Sequence, residues 1–339
     1  MTPAARPLTA RRPRIGYLGV GWIGRHRMSA IVEDGLTETV AVADASTEAV
    51  AEALALAPEA ASCATLDDLL ARDLDGLVIA TPSALHAAQA IRALEAGVAV
   101  FCQKPLGRDA AETRAVVAAA RSAGLLLGVD LSYRRTRAME AIRDVVGSGE
   151  LGRIQSADLV FHNGYGPDKP WFYDPVLSGG GCVVDLGIHL VDLALWVLGG
   201  PGVAAVSSQL FKEGRRLAGL DGVVEDHALA TVELEDGAVL RLACSWRLPV
   251  GRDAQIEAVF HGTRGGARFG NVAGSFYDFT ADRYEGTRTL PLCAPPDDWG
   301  GRVAADWARA LATDGGYDPA VESVCEVAAV IDRIYGRGE

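Results

Sequence analysis

Five short apolar runs mark the first 130 residues: Ile15–Leu18, Val40–Ala43, Leu77–Ala80, Val98–Phe101 and Leu125–Val129. Alanine-rich segments with helical spacing lie between them. Strands that alternate with helices predict a parallel sheet covered on both faces. The punctuation agrees. Ser46 is placed to cap a helix that stops before Pro58, and Ser83 to cap one that ends at Gly97. Asp109 with Glu112 has the spacing of a capping box on a helix closed by Gly124. Residues 13–131 therefore read as a doubly wound α/β domain.

After Asp130 the pattern changes. Tyr133–Val146 reads as a helix closed by Gly147 and Gly149, followed by a strand near Arg153–His162 and a loop to Ser178. Val183–Leu198 reads as one long apolar helix. From Val203 onward strands dominate. Thr231–Glu235 and Ala238–Ser245 flank Asp236-Gly237, a strong hairpin signal. Further strands are expected at Gln255–His261, Ala267–Phe269 and Phe276–Thr280, then helices at Arg302–Ala312 and Ala320–Tyr335. Residues 132–339 are thus expected to form an α+β domain with an open, mainly antiparallel sheet, its terminal helix packing back on the first domain.

The first predicted strand runs into Gly19-Val20-Gly21-Trp22-Ile23-Gly24 and a helix. This Gly-x-Gly-x-x-Gly turn suits a dinucleotide. The first Gly makes the turn, the second lets backbone approach the pyrophosphate, and the third lets helix pack on strand, with the helix N-terminus facing the anion. Asp44 ends the second strand, 20 residues beyond Gly24. A carboxylate there can accept from the adenosine ribose and would repel a 2′-phosphate, so NAD(H) is expected over NADP(H). The plain alternative for Asp44 is a turn or capping residue.

Charge narrows the partners. A net charge of −12 argues against nucleic acid or an anionic membrane surface as main partner. The clusters Arg134-Arg135-Arg137 and Arg215-Arg216 are too small to reverse that. The six cysteines lack Cys-x-x-Cys spacing and read as free thiols in a reducing cytosol, so no metal site and a cytoplasmic location are expected. Residues 1–12 read as a flexible leader, and Arg11-Arg12 is not followed by the apolar segment of an export signal. No run approaching the ~18 apolar residues of a membrane span is expected.

Candidate chemistry collects at strand ends and on the apolar helix. Thr81-Pro82-Ser83 with His86, and Gln103-Lys104-Pro105, follow the Leu77–Ala80 and Val98–Phe101 strands, where open α/β sheets bind ligands. Lys104 could reach both cofactor and substrate oxygens. Asp185, His189 and Asp192 are spaced to share one helix face. An Asp–His pair would let Asp185 orient His189 as a general base, with Asp192 structural. A satisfied core network is the alternative. Residues 161–174 mix aromatics with hydrogen-bonding side chains, which suits a polyhydroxylated ring or a packed surface loop. Tyr133, His162, Tyr165 and Trp171 are the substrate candidates.

Taken in order, four features resemble the glucose–fructose oxidoreductase and inositol dehydrogenase family, the Gfo/Idh/MocA group, over nearly the whole chain. They are Gly19–Gly24, Thr81-Pro82-Ser83 with His86, Lys104-Pro105, and Gly179-Gly180-Gly181 followed by Asp185 and His189. The resemblance implies a Rossmann domain, a substrate-binding and oligomerisation domain whose sheet forms homodimers or homotetramers, and NAD(P)-dependent oxidation or reduction of a sugar, cyclitol or derivative. It implies catalytic roles for Lys104, Asp185 and His189, and cofactor contacts from Gly19, Gly21, Trp22, Ile23, Gly24, Asp44, Thr81, Pro82, His86, Gln103 and Lys104. Family motifs usually read Glu-Lys-Pro; here Gln103 keeps the hydrogen-bonding shape and removes a negative charge. An NAD sensor without turnover, and an NAD-dependent glycoside-cleaving enzyme, remain open alternatives.

Overall fold

The computed structural model describes residues 11–219 and 222–337. Most of the expected leader, residues 1–10, lies outside them; Arg11 donates to Asp75 Oδ1 at 3.0 Å. The chain forms two compact units. One holds the described residues up to Ser132 together with Gly300–Cys325. The other holds Tyr133–Trp299 and the described residues from Glu326.

The first unit runs β1 (Arg14–Leu18), α1 (Trp22–Asp34), β2 (Glu38–Ala43), α2 (Thr47–Leu56), β3 (Ala61–Cys63), α3 (Leu66–Leu70), β4 (Gly76–Ile79), α4 (Ser83–Glu95), β5 (Ala99–Cys102), α5 (Ala110–Ala123) and β6 (Leu127–Val129). The strands pair in parallel in the order β3-β2-β1-β4-β5-β6. The order reverses beside β1, which puts the glycine turn at the topological switch point. Leu77, Ile79, Val100 and Cys102 are buried on one sheet face, and Ile15, Tyr17, Val78 and Phe101 on the other, which is why these strands read as unbroken apolar runs. β3 has only three residues and escaped the sequence pattern.

In the second unit a 3-10 turn (Ser132–Arg135) precedes α6 (Arg137–Gly147), where a single helix was expected. Thr136 is extended, and its Oγ1 accepts from Met139 N at 3.1 Å, so the helix restarts there. β7 (Ile154–Asn163) and a short helix α7 (Pro175–Ser178) follow. The expected helix over 183–198 opens with one π-turn (Val183–Gly187) before α8 (Ile188–Val197). Strands β8 (Val203–Lys212), β9 (Arg215–Arg216), β10 (His227–Leu234), β11 (Val239–Ser245), β12 (Ala254–Gly262), β13 (Gly266–Asn271), β14 (Phe279–Glu285) and β15 (Arg288–Cys293) complete a nine-stranded sheet. Its order is β15-β14-β13-β12-β7-β11-β10-β8-β9. Among the described residues of this sheet, only β7 and β11 pair in parallel. The Asp236-Gly237 hairpin joins β10 to β11 as the sequence predicts.

β14 begins three residues later than expected, because Ser275 Oγ accepts from Tyr277 N and Asp278 N and holds a turn there. α9 (Arg302–Thr313) returns to the first unit. There Trp307 lies so close to Gly76 and Gly128 that neither strand position has room for a side chain. The last helix, α10 (Ser323–Ile334), is preceded by a separate 3-10 turn at Pro319–Glu322, capped by Asp318. Ser83 does not cap α4 as expected; it is the first helical residue after Pro82. Asp109 caps α5, but Glu112 turns to Arg108 instead of closing the box. Against expectation, Pro175–Val197 is long and apolar enough to cross a membrane; it is the buried core segment of the second unit.

Candidate active site

At the glycine turn, Gly19 has φ +84° and its N–H donates to Ala43 O at 2.8 Å. A Cβ there would stand 2.6 Å from the Ala80 carbonyl, and a Cβ on Gly24 would overlap Gly19 O. Both positions are closed by backbone. Gly21 is the opposite, with nothing within 4 Å of its Cβ position. The first turn of α1 has neither a side-chain cap nor an acidic residue, so its amides are left for an anion. Trp22 is exposed beside it and Ile23 half-buried. This cradle fits a pyrophosphate. Asp44 secures its other wall: Oδ2 accepts from Val20 N at 2.7 Å and Oδ1 from Ser46 N at 2.8 Å. The carboxylate is therefore a turn clamp, as the plain alternative had it, and each oxygen retains acceptor capacity.

The loops after β4 and β5 are pinned together by His86. Its ring is buried, with Nδ1 2.7 Å from Pro105 O and Nε2 2.7 Å from Thr81 O. A neutral imidazole can donate to only one of them. Burial pushes His86 below its ordinary value, against the pull of the two carbonyls and with the Lys104 charge adding to the depression. Thr81 Oγ1 bonds Gln89 Oε1 at 2.6 Å, and the Lys104-Pro105 peptide is cis. Lys104 is half-buried between two buried neighbours, Gln103 and Pro105. The Gln103 amide donates to Asp130 Oδ2, which also accepts from Arg27 Nε at 2.6 Å. Sequence reasoning missed Arg27 and Asp130. The available signal was that Asp130 directly follows β6, on the same strand-end edge as Lys104.

In the second unit the glycine run is explained by what lies on it. A Cβ on Gly180 would overlap Tyr335 Oη, and one on Gly181 the backbone of Glu225. The buried Glu225 carboxylate accepts from Gly181 N at 3.0 Å, Val183 N at 2.8 Å and Tyr335 Oη at 2.9 Å, capping the start of the π-turn. Burial raises its pKa, with those bonds opposing. Asp185 lies within the π-turn and accepts the Trp246 Nε1–H at 3.0 Å. One turn on, His189 is buried, edge-on to Tyr133 with ring centroids 4.9 Å apart. Tyr133 in turn packs on Trp299 and Phe279, centroids 5.0 and 5.7 Å away. Asp192 forms a bidentate pair with Arg134.

Of the four substrate candidates, Tyr133 is brought to His189. Trp171 stacks on Phe172, which meets Trp246 edge-on. Tyr165 is largely exposed beside Phe276. His162 goes elsewhere. Its neighbour Phe161 faces His189, and strand alternation turns His162 to the opposite sheet face, where Nδ1 lies 2.8 Å from Ser245 Oγ and its ring stacks on His227. Among the described residues no group of three or more His, Cys, Asp or Glu is placed to hold a metal ion.

Residues 13–131 match the profile of the oxidoreductase family with an NAD-binding Rossmann fold, and residues 139–268 that of the GFO/IDH/MocA C-terminal domain. D-glucoside 3-dehydrogenase of Escherichia coli K12 is 30% identical over 277 residues, covering 77% of this chain and 78% of that protein. Among solved structures, levoglucosan dehydrogenase in complex with NADH and levoglucosan is 24% identical with a TM-score of 0.82, over 96% of this chain and 97% of that one. A 3-ketoreductase from Actinomadura kijaniata in complex with NADP and TDP-benzene is 21% identical, also at 0.82, over 96% and 98%. At these identities the solved structures show a shared fold, and their cofactors differ.

Proposed function

The chain belongs to the GFO/IDH/MocA family of oxidoreductases, and from this premise we propose that it oxidises a secondary hydroxyl, or reduces the matching ketone, of a sugar, cyclitol or related polyol. The observation that carries the reading is His189: a buried imidazole edge-on to Tyr133, on the same short helical stretch as an Asp185 held by Trp246. A buried base beside an aromatic ring suits a substrate with an apolar C–H face and a polar edge.

Gly19, Gly21, Trp22, Ile23 and Gly24 would hold the cofactor pyrophosphate, Asp44 the adenosine ribose, and Thr81, Pro82, His86, Gln103 and Lys104 the rims near the nicotinamide. When bound, the nicotinamide supplies the hydride acceptor or donor. An imidazole nitrogen of His189 takes the hydroxyl proton of the substrate, oriented by Asp185. The Lys104 ammonium would hold a substrate oxygen and stabilise developing alkoxide charge. His86 contributes indirectly, by tying the Thr81 and Pro105 carbonyls. Tyr133 and Trp171 would contact the substrate and Tyr165 would line the rim, whereas His162, on the opposite sheet face from Phe161, would not.

Asp44 favours NAD(H), because its anion would repel a 2′-phosphate while its oxygens can accept from ribose hydroxyls. The six free cysteines suit a cytoplasmic protein. Half-exposed Val160, Ala243 and Val259 with exposed Leu229 on the outer face of the nine-stranded sheet suit pairing with a second copy. Purified protein with NAD+ and a panel of sugars, glycosides and inositols, followed at the nicotinamide absorbance, is the direct test. No reduction of NAD+ by any polyol, with no NADH oxidation by the matching ketones, would remove the proposal.

A further inference from the structure

Three of the almost fully enclosed polar side chains in the first unit form one group: Arg27 on α1, Gln103 after β5 and Asp130 after β6. All meet at one atom. Asp130 Oδ2 accepts both the Arg27 Nε–H at 2.6 Å and the Gln103 amide. Asp130 Oδ1 is buried and has no hydrogen-bond partner among the described residues. The backbone fixes the arrangement, since Asp130 N donates to Cys102 O at 2.9 Å and Gln103 N to Ile79 O at 2.9 Å. One cation, one anion and one neutral amide share the enclosure, so the charges balance as they stand.

We infer that Asp130 is a positioning residue for the Gln103-Lys104-Pro105 turn, and that positions 103 and 130 share a single negative charge, carried here by Asp130. The charge count supports this. A carboxylate at 103 with Asp130 retained would put two anions on one buried guanidinium, and one would have to take up a proton. A neutral residue at 130 would leave Arg27 enclosed without a counter-ion, which is strongly unfavourable. Only one carboxylate at a time satisfies the site. With Asp130 fixed, Gln103 must direct Nε2 toward it, which leaves Oε1 as its acceptor; the side chain cannot flip without opposing two oxygens. Lys104 follows immediately, so the orientation of this turn depends on a residue 26 positions away. The assignment rests on the cofactor-side role proposed for Gln103.

The test is a double-mutant cycle on the full-length protein with Gln103→Glu, Asp130→Asn and the exchanged pair Gln103→Glu/Asp130→Asn. The first readout is thermal unfolding between pH 5 and 8. Each single variant should lower Tm by about 5 °C or more near neutrality. The deficit of Gln103→Glu should shrink as pH falls, because the surplus carboxyl has a folded pKa above its unfolded one and the penalty vanishes once it is protonated. The exchanged pair should recover most of the loss. The second readout is NADH binding by fluorescence titration, where each single variant should weaken affinity about tenfold and the pair should come within about threefold of the parent. Additive Tm losses in the pair would overturn the shared charge. Recovery of Tm with NADH affinity unmoved in every variant would overturn the positioning role. Failure of the parent to bind NADH would instead sink the cofactor reading, leaving the Tm cycle to stand alone.

Discussion

The indole Nε1–H of Trp246 donates to Asp185 Oδ2 at 3.0 Å. Trp246 follows directly on β11, whereas Asp185 lies in the π-turn before α8, so a residue just beyond a sheet strand fixes the carboxylate that precedes the buried His189 by one helical turn. Trp246 itself is clamped by Phe172 and Tyr173, ring centroids 6.4 and 5.6 Å away. The aromatic loop thus reaches the helix through one indole. Trp246→Phe should keep the packing and remove the donor. Its kcat is predicted to fall roughly tenfold, a fraction of what a general base supplies, with KM nearly unchanged. Steady-state kinetics would settle it, and an unchanged kcat would show that the bond is not needed.

The two proposed catalytic groups should fail in different ways. His189→Gln removes the base and is predicted to lower kcat by about 10²–10⁴-fold. Lys104→Met removes the cation at the substrate oxygen and should cost about 10²-fold or more. NADH binding by His189→Gln should stay intact. Either variant turning over at the parent rate refutes its assigned role.

The glycine turn offers a paired test. Gly24→Ala must push into Gly19 O, so it should lower Tm clearly. Gly21→Ala meets nothing within 4 Å and should melt like the parent. Yet Gly21→Ala is predicted to weaken NADH binding at least tenfold, because its methyl group fills the space assigned to the pyrophosphate. Parent-like binding by Gly21→Ala would move the cofactor away from this cradle.

Asp44 has two jobs that Asp44→Asn can separate. The amide oxygen can still accept one backbone N–H, so the turn should survive. Loss of the negative charge should narrow the preference for NAD over NADP by about tenfold. Dissociation constants for both cofactors would measure this. An unchanged ratio would leave Asp44 as a turn clamp only.

On the outer face of the large sheet, burial and then the charge of His227 push His162 down to about 4. The sign follows from proton counting. Between about 6.5 and about 4 the unfolded chain binds a proton that folded His162 does not, so stability falls as pH falls through that window. His162→Gln should therefore lose less Tm than the parent between pH 6.5 and 4. The His162 ring should titrate near pH 4 by NMR; titration near 6.5 would contradict the account.

What the sequence determined by itself was local. Unbroken apolar runs specify strands buried on both faces, Asp236-Gly237 specifies a hairpin, and Gly19 to Gly24 specifies a strand-to-helix turn open to an anion, because each depends on neighbours a few positions apart. The same local reading identified Lys104, Asp185 and His189 as the residues to examine. It failed where one side chain overrides a periodic pattern, as at Thr136, which restarts a helix, and at Ser275, which delays β14. Only the tertiary structure decided which distant groups meet. Nothing in the spacing joins Gln103 to Asp130 and Arg27, Asp185 to Trp246, or Gly181 to Glu225. These contacts arise because strand ends and helix starts far apart in the chain are brought together by burial of the apolar faces between them. Enclosed polar groups must then find partners there, whatever their separation in sequence.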